Sequence, residues 1–250
     1  MGNHLTQLQI QHLRCWTQGI LAPVDGLNII HGANASGKTS LLEAIYLLAT
    51  GKSFRSPQLA HCIAHDKAHL LITAQLHTDA YPAPLHLGMQ KDRQGNSSVR
   101  IAGNPANSQA ELTRLLPVQV FHPQSHELIS GAPVKRRAFM DWGAFHSNPQ
   151  FQQIWQRFHR ILKQRNEALK KKANAQEMAI WNAEFIQWAN ALSAARQDYI
   201  AALLPELISL VQHMPIIGAF HAHYAPGWKE GQSLEEALLA DRDKELKTVA

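Results

Sequence analysis

The 250-residue chain is poor in cysteine, in charge and in long apolar runs. Its two cysteines, Cys15 and Cys62, lie far apart and form no C-x-x-C. That excludes a disulfide framework and points to a reducing, cytoplasmic setting. No apolar run reaches the roughly 18 residues a membrane span needs, and the N-terminal stretch MGNHLTQLQIQHLR lacks the continuous apolar segment of a signal peptide. Its first six residues fit a short myristoylation pattern, but the residues that follow read as a strand. Charged residues make up only 17% of the chain, with a formal net charge of +5, which is compatible with a polyanionic partner without requiring one. Neither internal repeats nor low-complexity tracts occur.

The apolar patterning is mixed αβ in the first part and helical in the second. LTQLQIQHL at 5–13, HLLITAQLH at 69–77 and LHLGMQK at 85–91 read as strands, and KDRQGNSS as a turn leading into VRIAG. LNIIHG at 27–32 reads as a buried strand before a tight turn, and PVQVFHP at 117–123 as a returning strand. KTSLLEAIYLLATG at 38–51 has helical spacing with Gly51 as its stop. Helices are expected at about 133–145, 149–172 and 176–213, with Pro205 starting a new helix or kinking this one. IIGAFHAHY at 216–224 alternates like a strand. SLEEALLADRDKEL is a final helix opened by a Ser233–Glu236 capping box.

Gly32-Ala33-Asn34-Ala35-Ser36-Gly37-Lys38-Thr39 satisfies G-x-x-x-x-G-K-[ST] between an apolar run and an amphipathic helix. The chemistry follows from the residue types. Glycines let the backbone approach a phosphate closely. Loop amides and the helix N-terminus face negative charge. Lys38 supplies a point charge to β and γ phosphates, and the Thr39 hydroxyl is the expected Mg²⁺ ligand. Residues 32–39 with Ser40 are therefore the candidate ATP-binding set.

A longer pattern surrounds this loop. GANASGKTSLLEAIYLLATGKSFRS at 32–56, GAPVKRRAFMDWGAFH at 131–146, LKQRNEALK at 162–170 and DRDKEL at 241–246 together resemble the RecF family of bacterial recombination proteins, in order and over nearly the whole chain. That family sits with the ABC-type ATPase heads of the SMC group. The resemblance implies an α/β fold: a phosphate-loop ABC-type ATPase lobe, with a mixed sheet plus an antiparallel ribbon, carrying an inserted all-helical lobe. The corresponding divisions are an ATP-binding lobe at 1–147, a helical arm at 148–214 and a return segment at 215–250. The resemblance also implies ATP-dependent DNA binding, head-to-head homodimers around two ATP molecules, and help in loading RecA at gapped DNA together with RecO and RecR. Arg14 stands where related heads carry an arginine near the nucleotide, although Leu13-Arg14-Cys15 replaces the usual F-R-N. FHPQSHEL sits at the glutamine-loop position, leaving His122 and Gln124 as the alternatives.

An ABC-type site also needs an apolar strand ending in an acidic pair, to support Mg²⁺ and to position water. RRAFMD has basic residues before its acid, and EEALLAD is helical in pattern. The family's S-x-G-Q signature is missing as well; ISGAP and KEGQS share letters only. Family members extend roughly another 100 residues, so the chain has the look of a C-terminally truncated product, expected to bind ATP without turning it over. Residues 157–172 carry seven Lys or Arg and one acid, Glu167. Arg157, Arg160, Lys163, Arg165, Lys170, Lys171 and Lys172 are candidate DNA-phosphate contacts, with a solvated helix face as the bland alternative. Arg136 and Arg137 read either as a DNA or interface contact or, the preferred reading, as a pair that buttresses the glutamine-loop region through Asp141. The rival functions are a small-molecule phosphate-loop kinase and a non-catalytic interaction module.

Overall fold

A computed structural model describes residues 3–214, 223–229 and 231–240. The chain divides into two compact units, 1–122 and 123–250. Residue 147, the expected end of the ATP-binding lobe, is the last residue of a helix within the second unit.

The first unit is a six-stranded sheet backed by helices. Its strands are β1 (His4–Leu13), β2 (Trp16–Leu21), β3 (His69–His77), β4 (Leu85–Asp92), β5 (Ser97–Ile101) and β6 (Asn104–Pro105), in the order β2-β1-β3-β4-β5-β6. Every pairing is antiparallel. Strict alternation on β3 puts Leu70, Ile72, Ala74 and Leu76 on one buried face. Helix α1 (Lys38–Thr50) covers that face with Leu41, Ala44, Leu47 and Leu48, and α2 (Gln109–Leu115) adds Leu112. Fully burying a leucine of this kind stabilises the unit by about 1.5–3 kcal/mol. α1 stops where expected, because Gly51 takes a left-handed φ of 69° and returns its N–H to Leu47 O.

Two expected strands are not formed. Residues 27–32 are without secondary structure, and Leu27 and Ile29 are 84% and 78% exposed. A buried parallel strand needs ladder partners on its edges, and among the described residues nothing pairs with this one. Residues 117–122 are likewise irregular, with Phe121 91% exposed and prolines at 117 and 123 removing ladder donors. β2 and α2, in turn, were not foreseen.

The second unit is helical: α3 (Glu127–Ser130), α4 (Pro133–Ser147), α5 (Phe151–Lys170), α6 (Ala175–Gln212) and α7 (Leu234–Ala240). Pairings of Phe158 with Phe185 and of Arg165 with Asn182 show α5 and α6 to be antiparallel. The turn between them ends on Asn174, whose side chain caps the Glu177 N–H. Ala144, Phe151, Leu192 and Ala195 form the core against Phe158 and Tyr199. α4 packs so closely that a Cβ on Gly143 would lie 1.9 Å from the Tyr199 ring. Pro205 neither ends α6 nor starts a new helix; it lies inside the continuous helix Ala175–Gln212. The expected capping box is present: Glu236 N–H donates to Ser233 Oγ (3.1 Å) and Ser233 N–H to Glu236 Oε2 (2.8 Å). The strand expected at 216–224 and the block at 241–246 lie largely or wholly outside the described residues. No helix among the described residues is long and apolar enough to cross a membrane.

Candidate functional site

The phosphate-loop sequence forms turns that feed directly into α1. Gly37 is the helix N-cap at φ 91°, a left-handed conformation, and a Cβ there would come within 2.7 Å of Trp16 Nε1. Glycine is thus required twice, by the backbone angle and by the indole wedged against the loop. Trp16 Nε1 also donates to Gly37 O at 3.2 Å, so β2 fixes the height of the loop. Ala35 holds a left-handed φ of 62° as well. The Lys38 ammonium folds over its own loop, donating to Gly32 O (2.8 Å) and Ala33 O (2.7 Å). It belongs to the lining of a cavity of about 410 Å³ formed by residues 34–40 with Arg14, Cys15 and Arg55. Thr39 is exposed on the first turn of α1, and Ser40 is buried behind it.

Behind the loop lies a charge cluster with Glu43 at its centre. Glu43 points from the buried face of α1 and is fully buried. Arg14 grips it with two parallel bonds, Nε to Oε2 at 2.9 Å and Nη2 to Oε1 at 2.8 Å, and donates Nη1 to His61 O at 2.7 Å. Arg55 Nη1 reaches Glu43 Oε2 at 3.3 Å and Ser40 Oγ at 3.4 Å. The Ser53 hydroxyl and, at 3.6 Å, the Cys62 thiol also donate to Oε1. Burial pushes the Glu43 carboxyl up, but the bonds from Arg14 and Ser53 and the two guanidinium charges outweigh it, leaving the group below the usual carboxylate range. The same bond raises Arg14, and burial followed by the Glu43 charge raises the Cys62 thiol. The cluster thus stays ionised and holds two cations on the cavity wall.

Arg14 lies in the cavity wall, with its guanidinium committed to Glu43. Glu43, Arg55, Ser53 and Trp16 were assigned no role beforehand. The available signal was an acid on the buried side of α1, one helical turn beyond Ser40. His122 stacks on Phe54 (6.5 Å between centroids, 14° between planes). Gln124 is exposed on a short turn, Pro123–His126, in the second unit.

On the second unit, Arg157, Arg160, Lys163, Lys170, Lys171 and Lys172 are exposed on α5 and the turn after it. Arg160, Lys163 and Lys171 line a groove of about 750 Å³ together with Glu167, Glu177 and Trp181. Arg165 departs from the expected set. It is 4% exposed, donates Nε to Asn182 Oδ1 (2.8 Å) and lies over the Phe185 ring at 5.1 Å. Its charge is spent on joining α5 to α6 and is out of reach of a DNA backbone. The expected Arg136–Arg137 buttress through Asp141 is also corrected. Asp141 pairs with Arg196 at 2.7 Å and accepts from Trp155 Nε1 at 3.3 Å, whereas Arg136 caps the carbonyls of Leu128, Ile129 and Gly131.

Residues 4–217 match the family model described as RecF/RecN/SMC N terminal domain. The chain is 41% identical over 234 residues to the DNA replication and repair protein RecF of Thioalkalivibrio sulfidiphilus, covering 94% of this chain and 65% of that one. It is 37% identical over 245 residues to the RecF of Proteus mirabilis, covering 97% and 68%. The chain thus spans about two thirds of the length of the curated relatives it matches. Two solved structures, of the recombination mediator protein RecF-ATPrS and RecF-ATP in the RecFOR pathway, superpose with TM-scores of 0.84 over all of this chain and 70% of theirs, at 22% and 21% identity. At that identity the likeness speaks for the fold.

Proposed function

The chain belongs to the RecF family, and from that premise we propose that it binds the triphosphate of ATP around Lys38 and associates with DNA in a nucleotide-dependent way during recombinational repair. The observation that carries this reading is the loop itself: a left-handed Gly37 opening α1, and a lysine in the cavity lining whose ammonium is held by two carbonyls that phosphate oxygens can replace. The backbone N–H groups of 33–38 and the N-terminus of α1 face the phosphates. Lys38 turns from Gly32 O and Ala33 O onto the β and γ oxygens. Arg14 and Arg55, held by Glu43, add positive potential to the wall.

The donor set also fits Mg²⁺, since Thr39 presents an exposed hydroxyl on the first turn beside the cavity. The ion would neutralise the same oxygens when bound. Among the described residues no carboxylate lines the cavity, and Glu43 is neutralised by two arginines. These residues bind and orient a nucleotide without offering a base for water, so nucleotide holding rather than turnover is the role assigned to the 250 residues. The exposed cations of α5 supply DNA-phosphate contacts. A head-to-head homodimer around two ATP molecules, cooperation with RecO and RecR in loading RecA, and a cytoplasmic setting complete the proposal.

Lys38→Met is the test. Losing a charged donor removes about 1.5–3 kcal/mol, so ATP affinity should fall roughly 10- to 150-fold, and ATP-stimulated DNA association should disappear with it. DNA association that is equally ATP-dependent in the variant would overturn the reading.

A further inference from the structure

Lys91 lies on the core-facing side of β4, where the preceding residues of the strand are apolar. Leu85, Leu87 and Met89 of β4 point into the core beneath α1 and α2, and Lys91 is the next residue on that same side. Its cross-strand partners are the fully buried Leu70 and, on β5, Ser97. The side chain enters a cleft of about 320 Å³ between the end of α1, the β4–β5 ribbon and the start of α2. Lys52 lies in the same wall, with Thr50, Ser97, Asn107 and Ser108, and no carboxylate is among the lining residues. Neither lysine has an ion-pair partner among the described residues. Ser108 is the N-cap of α2 yet makes no cap bond with its side chain, which leaves its hydroxyl available. Glu111 accepts from Asn107 Nδ2 at 2.8 Å and lies outside the lining.

The end of α1 would ordinarily repel an anion, because its last carbonyls carry partial negative charge. Here they are covered. Leu47 O accepts from Gly51 N–H, Leu48 O and Ala49 O accept from Gln109 Nε2 (2.9 and 3.2 Å), and Ala49 O also accepts from Thr113 Oγ1 (2.7 Å). The polar lining of the cleft is two ammonium groups, the hydroxyls of Thr50, Ser97 and Ser108, and the amides of Asn107 and Gln109, whose Oε1 is buried without a hydrogen-bond partner. Burial pulls the proton affinity of Lys91 below its ordinary value, the penalty of a half-buried cation with no counter-charge.

We propose that this cleft is a second anion site, taking a phosphate-type oxyanion on the ammonium groups of Lys52 and Lys91 and the hydroxyls of Ser97 and Ser108. It lies at the opposite end of α1 from the Lys38 cavity, about 20 Å away at 1.5 Å per residue. It does not depend on nucleotide binding there. The oxyanion is either a free phosphate group or a phosphodiester of a nucleic-acid backbone, and the test separates the two.

Lysine acylation is followed by mass spectrometry on the 250-residue Lys38→Met variant, which takes the phosphate loop out of competition. The probes are inorganic phosphate and, separately, a short blunt duplex without terminal phosphates, each against chloride at equal ionic strength. Phosphate at twice its dissociation constant should slow Lys91 acylation about threefold. Protection by phosphate alone identifies a free-anion site; protection by the duplex identifies the backbone as the source. Ser97→Ala/Ser108→Ala should weaken the protection, and Lys52→Met should do the same. Lys91 acylating as fast with both probes as in chloride, or protection indifferent to all three substitutions, overturns the site and leaves Lys91 a snorkelling lysine.

Discussion

Replacing Glu43 should damage the first unit in a way that depends on pH. The carboxylate is fully buried and serves two guanidiniums, one hydroxyl and one thiol. Breaking a buried ion pair by removing one member costs about 3–5 kcal/mol. The side chains of Arg14 and Arg55 keep 20% and 42% exposure, so water takes up part of their orphaned charge, and the expected loss for Glu43→Gln is about 2–3 kcal/mol. With a urea dependence of about 1–3 kcal/mol per molar, the midpoint should fall by about 1 M. Arg55→Ala, the control, removes only the longer and more exposed arm and should cost about 0–1 kcal/mol.

Because Glu43 is held below the usual carboxylate range, its contribution is complete above that range and is lost as pH falls through the depressed folded value. The gap between wild type and Glu43→Gln should therefore be widest at neutral pH and close on acidification. Hydrogen exchange of α1 and β1 peptides in urea reads the first unit apart from the second. A neutral-pH loss under about 0.5 kcal/mol, or a gap of the same size in acid, would refute the assignment of Glu43 as an ionised hub.

Two further outcomes are expected. Gly37→Ala should destabilise by more than Gly26→Ala: both positions have left-handed φ (91° and 89°), costing about 1–2 kcal/mol for an L-residue, but only Gly37 also meets Trp16, while nothing lies within 4 Å of Gly26. Thermal midpoints check the order, and equal losses would remove Trp16 from the account. Replacing Arg160, Lys163 and Lys171 by Gln should lower the slope of log DNA affinity against log salt by roughly 2–3. Arg165→Met should instead lower the melting temperature and leave that slope alone; an unchanged slope in the triple variant would clear α5 of phosphate contact.

Much of the molecule was legible in local patterns. The phosphate loop, α1 and its Gly51 stop, the β3–β4–β5 ribbon, the long helices and the Ser233–Glu236 box each depend on residues a few positions apart. Periodicity, backbone freedom and capping act at that range, so sequence alone determined them. It also sufficed to identify the family, since the matching blocks are contiguous.

Only the tertiary structure decided the rest, because the deciding partners are distant in sequence. Whether LNIIHG becomes a strand depends on a ladder partner, and none of the described strands lies beside it. Arg165 looked like its exposed neighbours until Asn182 and Phe185, 17 and 20 residues further on, took it inward. The sequence marks Glu43 only as an acid within α1, yet it lies where Arg14, Ser53, Arg55 and Cys62 converge. Lys91 carries no motif at all; its place on a buried face is set by strand register with Leu70. A side chain's charge is written in the sequence, but its energy depends on which groups replace the water around it, and that is a property of the fold.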